Sequence, residues 1–130
     1  LDAEKANGDF IRGLIEHGRV SACHDVSDGG IAVAAAEMAM ASKGLGASID
    51  ILGETPAHAW LFGEDQARYL ITTSDAEAVL MDASASGVPA CVIGRSTDDG
   101  QLTLGVNDSI SLDMLRSGHE GWLPEYMRGA

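Results

Sequence analysis

Asp25, Ser27 and the pair Gly29-Gly30 fall inside one seven-residue stretch, HDVSDGG (24–30), between a short β-like run and a long alanine-rich run. A helix that starts after such a turn presents unpaired N–H groups and a partial positive charge, and both suit a phosphate. Gly29 and Gly30 carry no side chain, so a ligand can approach the backbone there. Ser27 adds a hydroxyl. Asp25, at the strand end, offers the hard carboxylate oxygen that Mg²⁺ takes directly or through water. Asp28 is awkward in this picture, because its charge repels a phosphate unless a cation lies between. A plainer reading competes: Ser27 or Asp28 caps the helix, and the glycines permit a tight turn. Asp28 is expected to be that cap.

Neighbouring groups are weaker candidates. His24 sits in an apolar strand, where a histidine is expected to be a hydrogen-bonded packing residue rather than a base or ligand. Glu37 is the only acid of the apolar run. An unpaired buried carboxylate is costly, so a donor is expected, with His24, Arg68 and Arg12 as candidates. The acidic turn FGED (62–65) reads as solvated, with Gly63 at positive φ. His17, His58 and His119 have no metal-ligand spacing, and there is no Walker A loop, nucleophile elbow or CxxC pair. Trp60 and Trp122 are expected to anchor short helices.

The elements that must position these groups alternate in type. Apolar spacing predicts a helix over 2–17, firm from Asp9 because Asn7 and Gly8 weaken its first half, with Gly18 as the stop. Residues 20–26 read as a buried strand. The run 30–42 reads as a helix that is apolar nearly all round, so it must be covered on more than one side. It is also a candidate docking face for a neighbouring domain or for a second copy in a homodimer. Strands are expected over 47–51, 67–73, 90–97 and 101–106, the last two joined as a hairpin by DDG. A short helix lies in 53–64, another over 75–86 with Asp75 in its first turn, and a last one over 111–122, followed by a tail. Such alternation predicts an α/β (α+β) layered α/β/α sandwich with a mixed sheet.

Bulk properties narrow the function classes. The 130 residues fit one domain, 1–130, and 45% hydrophobic content suffices for a core. A formal charge of −12 repels nucleic acid and anionic membrane surfaces, so neither is an expected partner. No apolar run approaches the roughly 20 residues that span a bilayer. Cys23 and Cys91 read as small buried residues of a reducing compartment, and the expected location is the cytoplasm. The chain begins with Leu1 and reads as a fragment of a longer polypeptide.

Four blocks, VSACHDVSDGGIAVAAAEMA, LFGEDQARYLIT, VIGRST…GQLTL and SLDMLRSGHEGWLPEYM, occur in order. Together they resemble the C-terminal domain of phosphoribosylformylglycinamidine synthase, in a superfamily with aminoimidazole ribonucleotide synthetase, selenophosphate synthetase and thiamine-monophosphate kinase. The resemblance covers about residues 1–128, and the first two blocks are the specific ones. It implies a partly ferredoxin-like C-terminal-type domain of an ATP-dependent ligase. That ligase turns formylglycinamide ribonucleotide, ATP and glutamine-derived ammonia into formylglycinamidine ribonucleotide, ADP and phosphate. It further implies that Asp25 binds Mg²⁺ and that Ser27 contacts a nucleotide, ATP or ADP, in an auxiliary site, beside the backbone that Gly29 and Gly30 leave open, while the catalytic residues lie in other domains. Expected partners are those domains, a glutaminase subunit and a small accessory subunit. Val26, where the large single-chain form has Arg, favours the small form. The alternatives are the same domain of another superfamily member, or a non-enzymatic interaction module.

Overall fold

A twelve-residue helix of almost purely apolar composition has no face to offer water, and the rest of the chain is arranged around it. In the computed structural model, which describes residues 1–129, this helix is α2 (Gly30–Ala41). Gly30, Ile31, Ala32, Ala34, Ala35 and Ala39 are buried, and no residue from 30 to 40 is exposed. Before it come α1 (Asp2–Glu16) and β1 (Ala22–Val26). After it come β2 (Gly46–Ile49), α3 (Ala57–Phe62), β3 (Arg68–Thr72), α4 (Ala76–Ala85), β4 (Gly94–Thr97), β5 (Gln101–Leu104), β6 (Asp108–Ser111) and α5 (Leu112–Gly129). Helix α2 packs on β1, β2, β3 and β5, and on α3 and α5. Its alanines let these elements approach closely, and the core is completed by Val26, Ile49, Leu102 and Leu112. Each buried Val, Ile or Leu contributes about 1.5–3 kcal/mol. The expected cover on several sides is thus supplied by the chain itself, with Val33, Ala36, Met38 and Met40 left partly covered.

The fold is mixed α/β with a mixed sheet. That sheet has four strands in the order β4-β2-β5-β6, with β2 and β5 parallel and the other pairs antiparallel. Strands β1 and β3 form a separate two-stranded antiparallel ribbon. This split corrects the reading of 20–26 as a buried strand. Covered by α2 on one face only, β1 buries Val26 and half-buries His24, while Ala22, Cys23 and Asp25 are exposed. Cys23 and Cys91 are both free and exposed, against the expectation of buried thiols.

The expected β4–β5 hairpin does not pair with itself, because β2 lies between the two strands. Residues 98–100 cross over the start of β2, where a Cβ on Gly46 would collide with the Gln101 carbonyl oxygen. Asp99 holds this crossing closed, accepting from Thr97 Oγ1 at 2.6 Å and from the Gln101 amide at 3.0 Å. Strand β6 is not among the expected elements: it is an edge strand, rich in polar residues, which needs little apolar alternation. Helix α5 runs through Pro124 to Gly129, beyond the expected end near 122. The carbonyl that Pro124 leaves unpaired belongs to Glu120, an exposed residue that water can serve. Asn7 and Gly8 do not shorten α1. They mark its contact with β3, Asn7 Nδ2 donating to the Ala67 carbonyl at 2.8 Å and Gly8 lying beside the Tyr69 hydroxyl.

Candidate functional site at the β1–α2 turn

Strand β1 ends at the buried Val26, and the chain reverses into α2 through two successive left-handed glycines, Gly29 (φ 81°) and Gly30 (φ 66°). The Gly30 amide donates to the Ser27 carbonyl at 3.1 Å. The Gly29 amide donates to Glu64 Oε1 at 2.9 Å, so a carboxylate from the α3–β3 loop sits at the positive end of α2. Gly29 is the N-cap, and no side chain caps the helix from within the turn. The expected cap by Asp28 or Ser27 is therefore not made: the glycine conformations carry both residues outward, and both are exposed. Gly63 has φ −62°, not the positive value expected. Its requirement is spatial, since a Cβ there would lie 2.5 Å from the Ala59 carbonyl oxygen.

The two glycines of the turn also answer to the fold. A Cβ on Gly30 would sit 2.7 Å from the Leu61 carbonyl oxygen and 2.8 Å from that of Gly63, and one on Gly29 would collide with the Val33 side chain. Their amides are engaged within the chain. What the turn leaves available to a ligand is side chain: the exposed Ser27 hydroxyl, and the Asp25 carboxylate, 69% exposed.

Behind the turn, His24 Nε2 lies 2.6 Å from Glu37 Oε2, and His24 Nδ1 lies 2.5 Å from the Asp25 carbonyl oxygen. Both ring nitrogens face oxygen acceptors, an arrangement that only the imidazolium satisfies with two donated bonds. The Asp25 carbonyl, followed by Glu37, holds the His24 pKa above its ordinary value despite partial burial. Among the three candidate partners for Glu37, the fold selects His24. Arg12 reaches Asp9 at 3.5 Å, and Arg68 Nη2 donates to the Gly63 carbonyl at 2.5 Å. A pKa raised by folding stabilises fully below the unfolded value of about 6.5, and that contribution fades as pH rises through the folded value. Urea unfolding of Glu37→Gln is therefore expected to show a loss of about 1 kcal/mol at pH 6 that shrinks by pH 8.5. An equal loss at both pH values would rule out a charged pair.

Among the described residues, no group of three or more His, Cys, Asp or Glu side chains is placed to hold a metal ion. Trp60 packs against the core, whereas Trp122 is 65% exposed and stacks on Tyr126 instead of anchoring its helix. Glu64 is the residue that sequence reading missed. Pairing of Val26 with Arg68 brings residues 63–67 alongside the turn, and that pairing is a tertiary fact.

Comparison with known proteins places this geometry in a family. The model for AIR synthase related protein, C-terminal domain, matches residues 1–107. The chain is 51% identical over 129 residues to phosphoribosylformylglycinamidine synthase subunit PurL of Parvibaculum lavamentivorans, covering 98% of this chain and 17% of the relative. It is 52% identical to the same subunit from Methylocella silvestris, covering 100% of this chain and 18% of the relative. The chain thus spans about a sixth of the length of these curated relatives. Among solved structures, T. maritima PurL complexed with ATP superposes with a TM-score of 0.72 at 22% identity, over 85% of this chain and 21% of that one. PurLQS from Thermotoga maritima gives 0.73 at 22% identity, over 86% and 21%. At that identity the likeness is one of fold. With a matching domain model over most of its length, a mixed α/β fold to suit and the glycine turn between β1 and α2, the chain belongs to the AIR synthase related protein, C-terminal domain family.

Proposed function

We propose that this chain is the C-terminal-type domain of a PurL-like phosphoribosylformylglycinamidine synthase subunit. The observation that carries this reading is identity of about half along nearly the whole chain with subunits of that name. The full-length protein is then an ATP-dependent carbon–nitrogen ligase of purine biosynthesis, working in the cytoplasm with a glutaminase subunit and a small accessory subunit. The PurLQS assembly known for T. maritima supports partner subunits of this kind. The chain alone is expected to show no turnover with ATP, formylglycinamide ribonucleotide and ammonia, because it spans only about a sixth of the length of those relatives.

Within that protein, this domain contributes a Mg²⁺–nucleotide contact through Asp25 and Ser27. The donor set suits Mg²⁺ in one respect: this ion commonly keeps several waters and takes one or two carboxylates plus phosphate oxygens, so the single exposed Asp25 is an adequate protein ligand. When bound, the cation neutralises phosphate charge beside an acidic turn. Glu64 already serves the Gly29 amide, so phosphate oxygens meet Ser27 and the cation rather than the glycine backbone. Calorimetric titration of the chain with Mg-ADP tests this. Asp25→Ala is expected to weaken binding at least about tenfold. Absence of heat with the wild-type chain removes the nucleotide role, and equal binding by the variant removes Asp25 from it.

A further inference from the structure

Helix α5 begins in the core and ends without cover. Leu112 is 2% exposed, Leu115 packs on the core, and Arg116 Nη2 donates to the Met40 and Ser42 carbonyls at 3.0 and 3.2 Å, closing the C-terminal end of α2. Beyond Arg116 every residue to Gly129 is exposed except the half-buried Gly121. Yet the apolar pattern does not stop there. At 100° per residue, Leu112, Leu115, Trp122, Leu123, Tyr126 and Met127 fall within an arc of about 140°. The arc that faces the core in the first turns is occupied by Arg116 and His119 at the edge of the core and turns apolar again from Trp122 onward. Its outer half bares Trp122, Leu123, Tyr126 and Met127 at 65%, 58%, 61% and 66% exposure.

We propose that this outer half of α5 docks into another part of the same polypeptide, one that extends the core surface on which Leu112 and Leu115 already rest. The occupant is an apolar groove with a basic rim, and a hydrogen-bond acceptor for the Trp122 indole N–H. Three observations choose it. The curated relatives match α5 as well as the rest of the chain but are roughly six times as long, so ample chain exists to supply the groove. The family match ends at residue 107, which sets α5 apart from the recurrent domain. Glu120 and Glu125 flank the stripe on a chain of net charge −12, so a second copy brings like charge to the contact. A short helical extension has little stability of its own, and the docking supplies it.

The inference rests on the reading that this chain is one part of a longer synthetase, so the test uses the full-length protein with its ligase turnover measured in the same preparation. A photoreactive side chain placed at position 123 is expected to give cross-links within one polypeptide. Amides of residues 119–129 are expected to exchange at least about tenfold more slowly than in the chain 1–130 alone. Trp122→Ala with Tyr126→Ala is expected to abolish that protection. Cross-links between two copies or to a different protein, or unprotected amides in an active full-length protein, overturn the docking. A well-folded full-length protein without ligase turnover counts instead against the functional reading.

Discussion

Alanine at position 30 is expected to destabilise the protein by about 3 kcal/mol or more. A non-glycine residue at positive φ costs roughly 1–2 kcal/mol, and crowding a packed site adds about 1–3 kcal/mol. Both apply to Gly30, at φ 66°, where a Cβ would meet the Leu61 and Gly63 carbonyls and the Phe62 carbonyl carbon, all backbone atoms. None of them can rotate away, so α3 and α2 must separate. Urea unfolding measures the effect as a fall in midpoint at unchanged slope. Gly53→Ala is the control. Gly53 has φ 77° and nothing within 4 Å of where an added methyl would sit, so only the conformational cost of about 1–2 kcal/mol remains. If Gly30→Ala is as mild as Gly53→Ala, α3 does not pack on Gly30 as closely as described.

Leu112→Ala is expected to cost about 2–5 kcal/mol, the range for emptying a packed leucine site. Leu112 is 2% exposed and joins the cluster of Val26, Ile31, Ala34, Ala35, Ile49 and Leu102. The alanines of this cluster belong to a rigid helix, which cannot collapse into the space. The same change loosens the root of α5, so heightened proteolysis after Arg116 should accompany the loss. Met114→Ala, 66% exposed, is expected to stay within about 0.5 kcal/mol. Equal effects at the two positions would mean that α5 is not seated on α2 as described.

Much of the fold was legible before any coordinate. Helices α1, α2 and α4 and strands β1, β2, β3 and β5 lie where periodicity and turn residues put them. Asp75, expected in the first turn of α4, is its N-cap and accepts from the Ala78 amide at 3.0 Å. Local signals suffice for these elements because propensity, patterning and stop residues agree. Misreadings cluster where the deciding partner is distant in sequence. The DDG turn between β4 and β5 carries hairpin residues, but β2 occupies the place between them. Cys23 and Asp25 are exposed because β1 has cover on one face alone. Strand β6 pairs only along β5, and nothing in its own composition announces that.

The turn HDVSDGG shows the same division. Residue types alone made it the place where an acid, a hydroxyl and a pair of glycines meet the start of a helix, and they required Glu37 to find a donor. Which donor it found, and what stands at the helix terminus, depended on pairing between β1 and β3. That register aligns Val26 with Arg68, brings Glu64 to the Gly29 amide, and leaves His24 rather than Arg68 against Glu37. Turn chemistry and amphipathic periodicity are properties of neighbours along the chain, so sequence determines them. A carboxylate 35 residues away on a hydrogen bond is a property of strand register, which only the assembled core decides.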